Sequence, residues 1–194
     1  MKTFHTLTLL PLLLLPALPC LAQEGKAAPP AEKPKMDALL VYGEGFAFGV
    51  KEPAGWRSDT EAEAAKLHAN IVFFPGAAGP KAGEVNIQVR VNEKEDEDTI
   101  KDLQADMEGY RKEYPKIQFE EIPFKHAEYA TFAKLFVQPG ELYEYTAYLN
   151  PGPRYSFNLS VALSKKKSAA TADELAAYET VLKSLKVLET QAPK

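Results

Sequence analysis

The chain has 194 residues, with 23 basic side chains against 27 acidic ones, 45% hydrophobic residues and a single cysteine. A mildly acidic chain without a basic stripe is a poor nucleic-acid binder. One cysteine also excludes an internal disulfide framework.

The N-terminus carries Lys2 and then an apolar run from Leu7 to Leu18, broken by Pro11 and Pro16. That run is too short and too interrupted for a spanning helix, and it fits the h-region of a signal peptide. Cys20 and Ala22 are the small residues at the −3 and −1 positions for cleavage after Ala22. Residues 1–22 therefore read as a signal peptide, and export to the periplasm or medium is expected. Lipidation at Cys20 is the alternative, but Pro19 stands where lipoprotein signals place a small residue, so a free mature chain is favoured. Cleavage removes Cys20, and with it thiolate chemistry and cysteine-based zinc sites.

Residues 23–40 open with an Ala-, Pro-, Lys- and Glu-rich stretch that buries too little apolar surface to order itself, and they read as a flexible linker. Residues 41–190 suit a single domain, with 191–194 as a tail. Within the domain, short strands are expected at Phe46–Val50 and Ile71–Phe74. A short helix is expected from Asp59 to Leu67, with Ser58 as its cap and Glu61 three residues on. Glu84–Val91 alternates Val85, Ile87, Val89 and Val91 against polar partners, the pattern of a half-buried strand.

Thr99 and Asp102 form a capping-box-like pair ahead of Ile100, Leu103, Met107 and Tyr110, which predicts a helix ending before Pro115. Strands follow at Ala127–Val137, Glu141–Leu149 and Tyr155–Leu163. The turns at Pro139-Gly140 and Asn150-Pro151-Gly152-Pro153 make them an antiparallel meander. Thr171 and Glu174 cap a last helix whose apolar stripe is Leu175, Tyr178, Leu182 and Leu185. One-sided helices and one-sided strands must cover each other. The expected fold is α+β, an α/β/α sandwich with a central, mainly antiparallel sheet.

Candidate chemistry is sparse. His68 and His126 stand far apart without ligand spacing, and both read as ordinary surface or edge residues. The acidic run from Glu93 to Asp98, with Glu93, Glu95, Asp96 and Asp98, is the one place where a divalent cation could find several carboxylates. The same acids also suit the start of a helix as solvated partners of its dipole. Lys165-Lys166-Lys167 reads as a solvated turn. No nucleophile elbow, Walker loop or dinucleotide fingerprint is present. Trp56, after Pro53-Ala54-Gly55, reads as a plug at the core edge, with an interface anchor or pocket as the alternative. Tyr143, Tyr145 and Tyr148 are candidates for an interface or pocket if one sheet face is open and are core if both are covered, core being favoured for most of them. No cofactor is expected.

Phe46-x-Phe48, Pro53-x-Gly55-Trp56 and the closing Val181-Leu182-Lys183-Ser184-Leu185-Lys186-Val187, in this order of elements, resemble the PsbP-like superfamily over Tyr42–Leu188. That group includes DcrB-like bacterial proteins. The Phe48–Pro53 spacing is longer than the family's tight opening. The resemblance implies an α/β/α sandwich working as a non-enzymatic accessory or binding module. The signal peptide conflicts with the family's nuclear branch, and the N-terminus lacks the look of a chloroplast transit peptide, so a bacterial envelope member fits best. The expected function is an exported accessory domain that engages a protein partner or envelope component. A small-ligand or cation-binding domain and a hydrolase with a dispersed site are the alternatives.

Overall fold

A computed structural model describes residues 38–76, 84–94 and 99–189. The elements run β1 (Leu39–Gly43), β2 (Phe46–Val50), β3 (Trp56–Asp59), α1 (Ala62–Lys66), β4 (Ile71–Pro75), β5 (Val85–Glu93) and α2 (Thr99–Glu113). After them come β6 (Gln118–Glu121), β7 (Ala130–Gln138), β8 (Leu142–Asn150), β9 (Phe157–Lys165), α3 (Ala172–Ser184) and β10 (Lys186–Val187). The expected α+β fold is the one adopted: a seven-stranded sheet of order β3-β4-β5-β9-β8-β7-β6, antiparallel throughout, with helices packed on it. A second sheet, β1-β2-β10, is also antiparallel.

Alternation decides which face carries the main core. Ile87 and Val89 of β5 pair with Leu163 and Val161 of β9, and Ala147 of β8 pairs with Val161 on its other side. These residues are fully buried against Tyr178, Val181 and Leu182 of α3 and Phe48 and Val50 of β2. The Thr171–Glu174 capping box at the start of α3 forms as expected, with each side chain bonded to the other's backbone amide. Glu174 also takes a bond of 2.8 Å from Lys165 at the end of β9, tying the helix start to the sheet. Burial works against the Glu174 carboxylate, but Lys165 and the cap hold its pKa below the usual range.

Two helix starts differ from expectation. Ser58 does not cap the short helix, because its hydroxyl bonds to Glu52; the Asp59 carboxylate instead accepts the amides of Glu61, Glu63 and Ala64. All three amides converge on the one Asp59 oxygen, Oδ1, whose negative charge makes it a stronger acceptor than a neutral hydroxyl. At α2, Asp102 turns away from the cap and accepts from Asn158 of β9 at 2.9 Å. Thr99 is already inside the helix, with its hydroxyl buried and without a hydrogen-bond partner among the described residues.

The polar faces of β5, β8 and β9 are not solvent faces. Gln88, Glu144, Thr146, Asn158 and Ser160 are all buried. They form a polar layer under α2, stitched by Tyr110 to Glu144 at 2.7 Å, Thr146 to Glu144 at 3.2 Å, Asn92 to Ser160 at 3.2 Å, and Tyr148 to Asp106. Burial pushes the Glu144 carboxyl above the usual carboxylate range, while Tyr110, Arg90 and Thr146 act to hold it down. Burial, with Glu144 beside it, likewise raises the Tyr110 hydroxyl.

An acid whose pKa is raised on folding keeps its proton longer in the native state than in the unfolded one. Stability is then greatest below the unfolded carboxyl pKa and falls as pH rises toward the folded value. Glu144→Gln is therefore expected to flatten the pH dependence of Tm across the mildly acidic range and to raise Tm at pH 8. An unchanged pH profile would contradict this.

Candidate functional site

The site is set by the end of the β6–β7 ladder. β8 pairs with β7 along its whole length, but β6 pairs only with Lys134–Val137. After Glu121 the chain leaves the ladder at Ile122-Pro123. Pro123 has no N–H to donate and restricts the residue before it, so antiparallel pairing cannot continue there. Residues Ala130–Ala133 are left without a strand partner on that side among the described residues.

What draws the departing segment away is visible. Phe124 packs edge-to-face on Tyr178 of α3, with ring centres 5.1 Å apart. Two residues on, His126 is buried, unlike the surface or edge histidine expected from sequence. Its Nδ1 accepts the amides of Glu128 and Tyr129, at 3.0 and 3.1 Å. Nε2 therefore carries the proton and donates to the Leu185 carbonyl at 2.9 Å. Tyr129 stacks on the imidazole at 4.3 Å, and its hydroxyl accepts the Val187 amide. The connection is thus clamped to the α3 side of the sheet.

Between this clamped connection, the β7 edge and α2 lies an open cleft of about 400 Å³. Ile100, Leu103, Gln104 and Met107 of α2 form one wall, and Glu121, Ile122, Phe124 and Lys125 form the other. The floor is Thr131, Phe132, Ala133 and Lys134, four consecutive residues of β7. Successive side chains of a strand point to opposite faces, so a cavity lined by all four meets the edge of the strand. Lys134 is paired with Glu121 across the rim, and Lys125 is exposed. The Thr131 hydroxyl is already engaged, accepting from the His126 amide and donating to the Tyr129 carbonyl.

The residues singled out from sequence lie elsewhere. Tyr145 is buried in the main core, and Tyr148 is buried under α2 with Leu103 and Phe136. Tyr143 is half-buried on β8, and Trp56 is half-buried at edge strand β3, packed against the main core. Glu93 is exposed at the end of β5 and lines a depression of about 440 Å³ with Glu44, Asn70 and Ser156. Glu95, Asp96 and Asp98 lie outside the described residues. Among the described residues, no group of three or more metal-ligating side chains is assembled. His68 is exposed at the end of α1 with φ of 52°.

No protein-family model matches the chain, and no curated protein matches it in sequence. Among solved structures, it is similar to LpqN of Mycobacterium tuberculosis, involved in cell envelope biogenesis. The TM-score is 0.50 and the identity 13%, over 73% of this chain and 83% of that one. It also matches the solution structure of PsbP (CyanoP) from the cyanobacterium Synechocystis sp. PCC 6803, with a TM-score of 0.45 and 18% identity, over 75% and 88% of the two chains. The likeness is one of fold alone.

Proposed function

We propose that this chain matures into an exported, non-catalytic accessory domain that binds an apolar portion of a protein partner or envelope component. The contact is made in the cleft between α2 and the β7 edge. The make-up of that cleft carries the reading. Its walls are largely apolar, and its polar groups are Gln104, the engaged Thr131, the Glu121–Lys134 pair and Lys125. None is a nucleophile standing beside a base, the arrangement that covalent or acid–base catalysis needs. A partly apolar concavity with a few polar rim groups is the usual form of a binding site.

Export rests on the signal peptide read in residues 1–22. No helix among the described residues is long and apolar enough to cross a membrane. The structural neighbour LpqN is involved in cell envelope biogenesis, and the proposed envelope setting is in keeping with that.

A fluorescent apolar anion, 1-anilinonaphthalene-8-sulfonate, tests the reading. Saturable fluorescence enhancement is expected with the native domain, reduced about tenfold in affinity by Gln104→Trp, since each 1.4 kcal/mol of lost contact is tenfold. Gln104 is an exposed helix residue, so the substitution fills the cleft without touching the core. Enhancement that is absent, or equal in the variant, would contradict the site.

A further inference from the structure

The cleft has a floor that an acyl chain or a simple apolar ring would not satisfy. Residues Ala130–Ala133 of β7 present the strand edge left open where β6 ends, and no backbone hydrogen bond joins them to the 122–125 wall. Backbone N–H and C=O groups need partners when they are covered, and covering them with hydrocarbon leaves them unpaired. An extended peptide offers matching groups along its length, and its alternate side chains reach the two faces beside the strand.

On one of those faces stand Leu103, Met107 and Phe132, an apolar patch. The rim adds the exposed charge of Lys125, which has no ion-pair partner among the described residues. Lys134 is already neutralised by Glu121. Resting on the cleft as the binding site, we infer that its occupant is an extended peptide segment of a partner protein. That segment adds as a strand to the open edge of β7, with apolar side chains alternating toward α2 and an acidic residue toward Lys125.

The test is panning of the mature domain against a phage-displayed random dodecapeptide library, followed by titration of the enriched sequences as synthetic peptides. Alternating apolar peptides with an acidic residue are expected. Their affinity should fall about tenfold on N-methylation of alternate residues, which removes N–H donors and keeps the side chains. It should also fall about tenfold with Gln104→Trp, and about threefold with Lys125→Glu.

Peptides that tolerate N-methylation in both alternations, or that bind Gln104→Trp as well as the native domain, would overturn strand addition. So would a library that yields no binder. In each case, retained binding of 1-anilinonaphthalene-8-sulfonate that Gln104→Trp blocks would leave the cleft standing as an apolar site. Loss of that binding as well would remove both.

Discussion

Replacing Tyr178 with alanine is expected to lower folding stability by about 3–5 kcal/mol, the range for truncating a large, fully buried aromatic. Tyr178 has no exposed surface and sits where α3 meets the sheet. Its hydroxyl donates to the Val161 carbonyl at 3.3 Å, and its ring receives Phe124 edge-on. Truncation leaves a cavity between helix and sheet and takes from the Val161 carbonyl its side-chain hydrogen bond. Tyr178→Phe should cost only about 1 kcal/mol, because it keeps the ring and loses one hydrogen bond. Urea unfolding followed by the fluorescence of Trp56, the only tryptophan, measures both. Equal losses for the two variants would mean that the hydroxyl, and not the packing, holds α3 in place.

The second large effect is expected at His126. His126→Phe fills much the same space but removes both acceptor bonds from Glu128 and Tyr129 and the donor bond to Leu185. A loss of about 2–4 kcal/mol is expected, since each buried group left unpaired costs about 1–3 kcal/mol and some of these groups reach water. The consequence extends to function. The His126–Leu185 bond and the Phe124–Tyr178 contact anchor the β6–β7 connection, one wall of the cleft, to α3 and its end, so the variant should also weaken binding of 1-anilinonaphthalene-8-sulfonate. A stability loss without any change in binding would separate the clamp from the cleft.

The parts of this fold legible in sequence are those where alternation or capping chemistry is strong. Phe46–Val50 matches its strand end to end, and the meander of β7, β8 and β9 follows from long alternating runs broken by Pro-Gly and Gly-Pro turns. The strands that escaped notice are short or sit at an edge. Gln118–Glu121 carries one apolar residue, Lys186–Val187 is two residues long, and Trp56–Asp59 has no alternation to read. Leu39 and Leu40 fall within the stretch read as linker, yet they belong to β1, where both remain exposed.

Polar alternation left one point open. Asn158 and Ser160 stand on the strand face opposite Phe157, Leu159 and Val161, and the structure buries them in a hydrogen-bonded layer. Periodicity reports that two faces differ, and cannot report that the polar one is also covered.

The cleft was harder still to see. It comes from the absence of pairing over half of one strand and from contacts of Phe124 and His126 with a helix more than fifty residues away. Only Ile122-Pro123, a pair that stops a ladder, marks the place in sequence. Gln104 and Lys125 carry no motif, and their relevance appears only once α2 and the connection face each other across the β7 edge.

The most direct measurement is a residue-by-residue NMR titration of the ¹⁵N-labelled mature domain with 1-anilinonaphthalene-8-sulfonate. The shifted amides are expected to cluster at Met107, Ile122, Lys125 and Thr131–Lys134, with those of the Glu44–Phe46 turn and Glu93 unmoved. Shifts gathered at Glu44–Phe46 and Glu93, or spread evenly over the domain, would contradict a binding site at the open edge of β7.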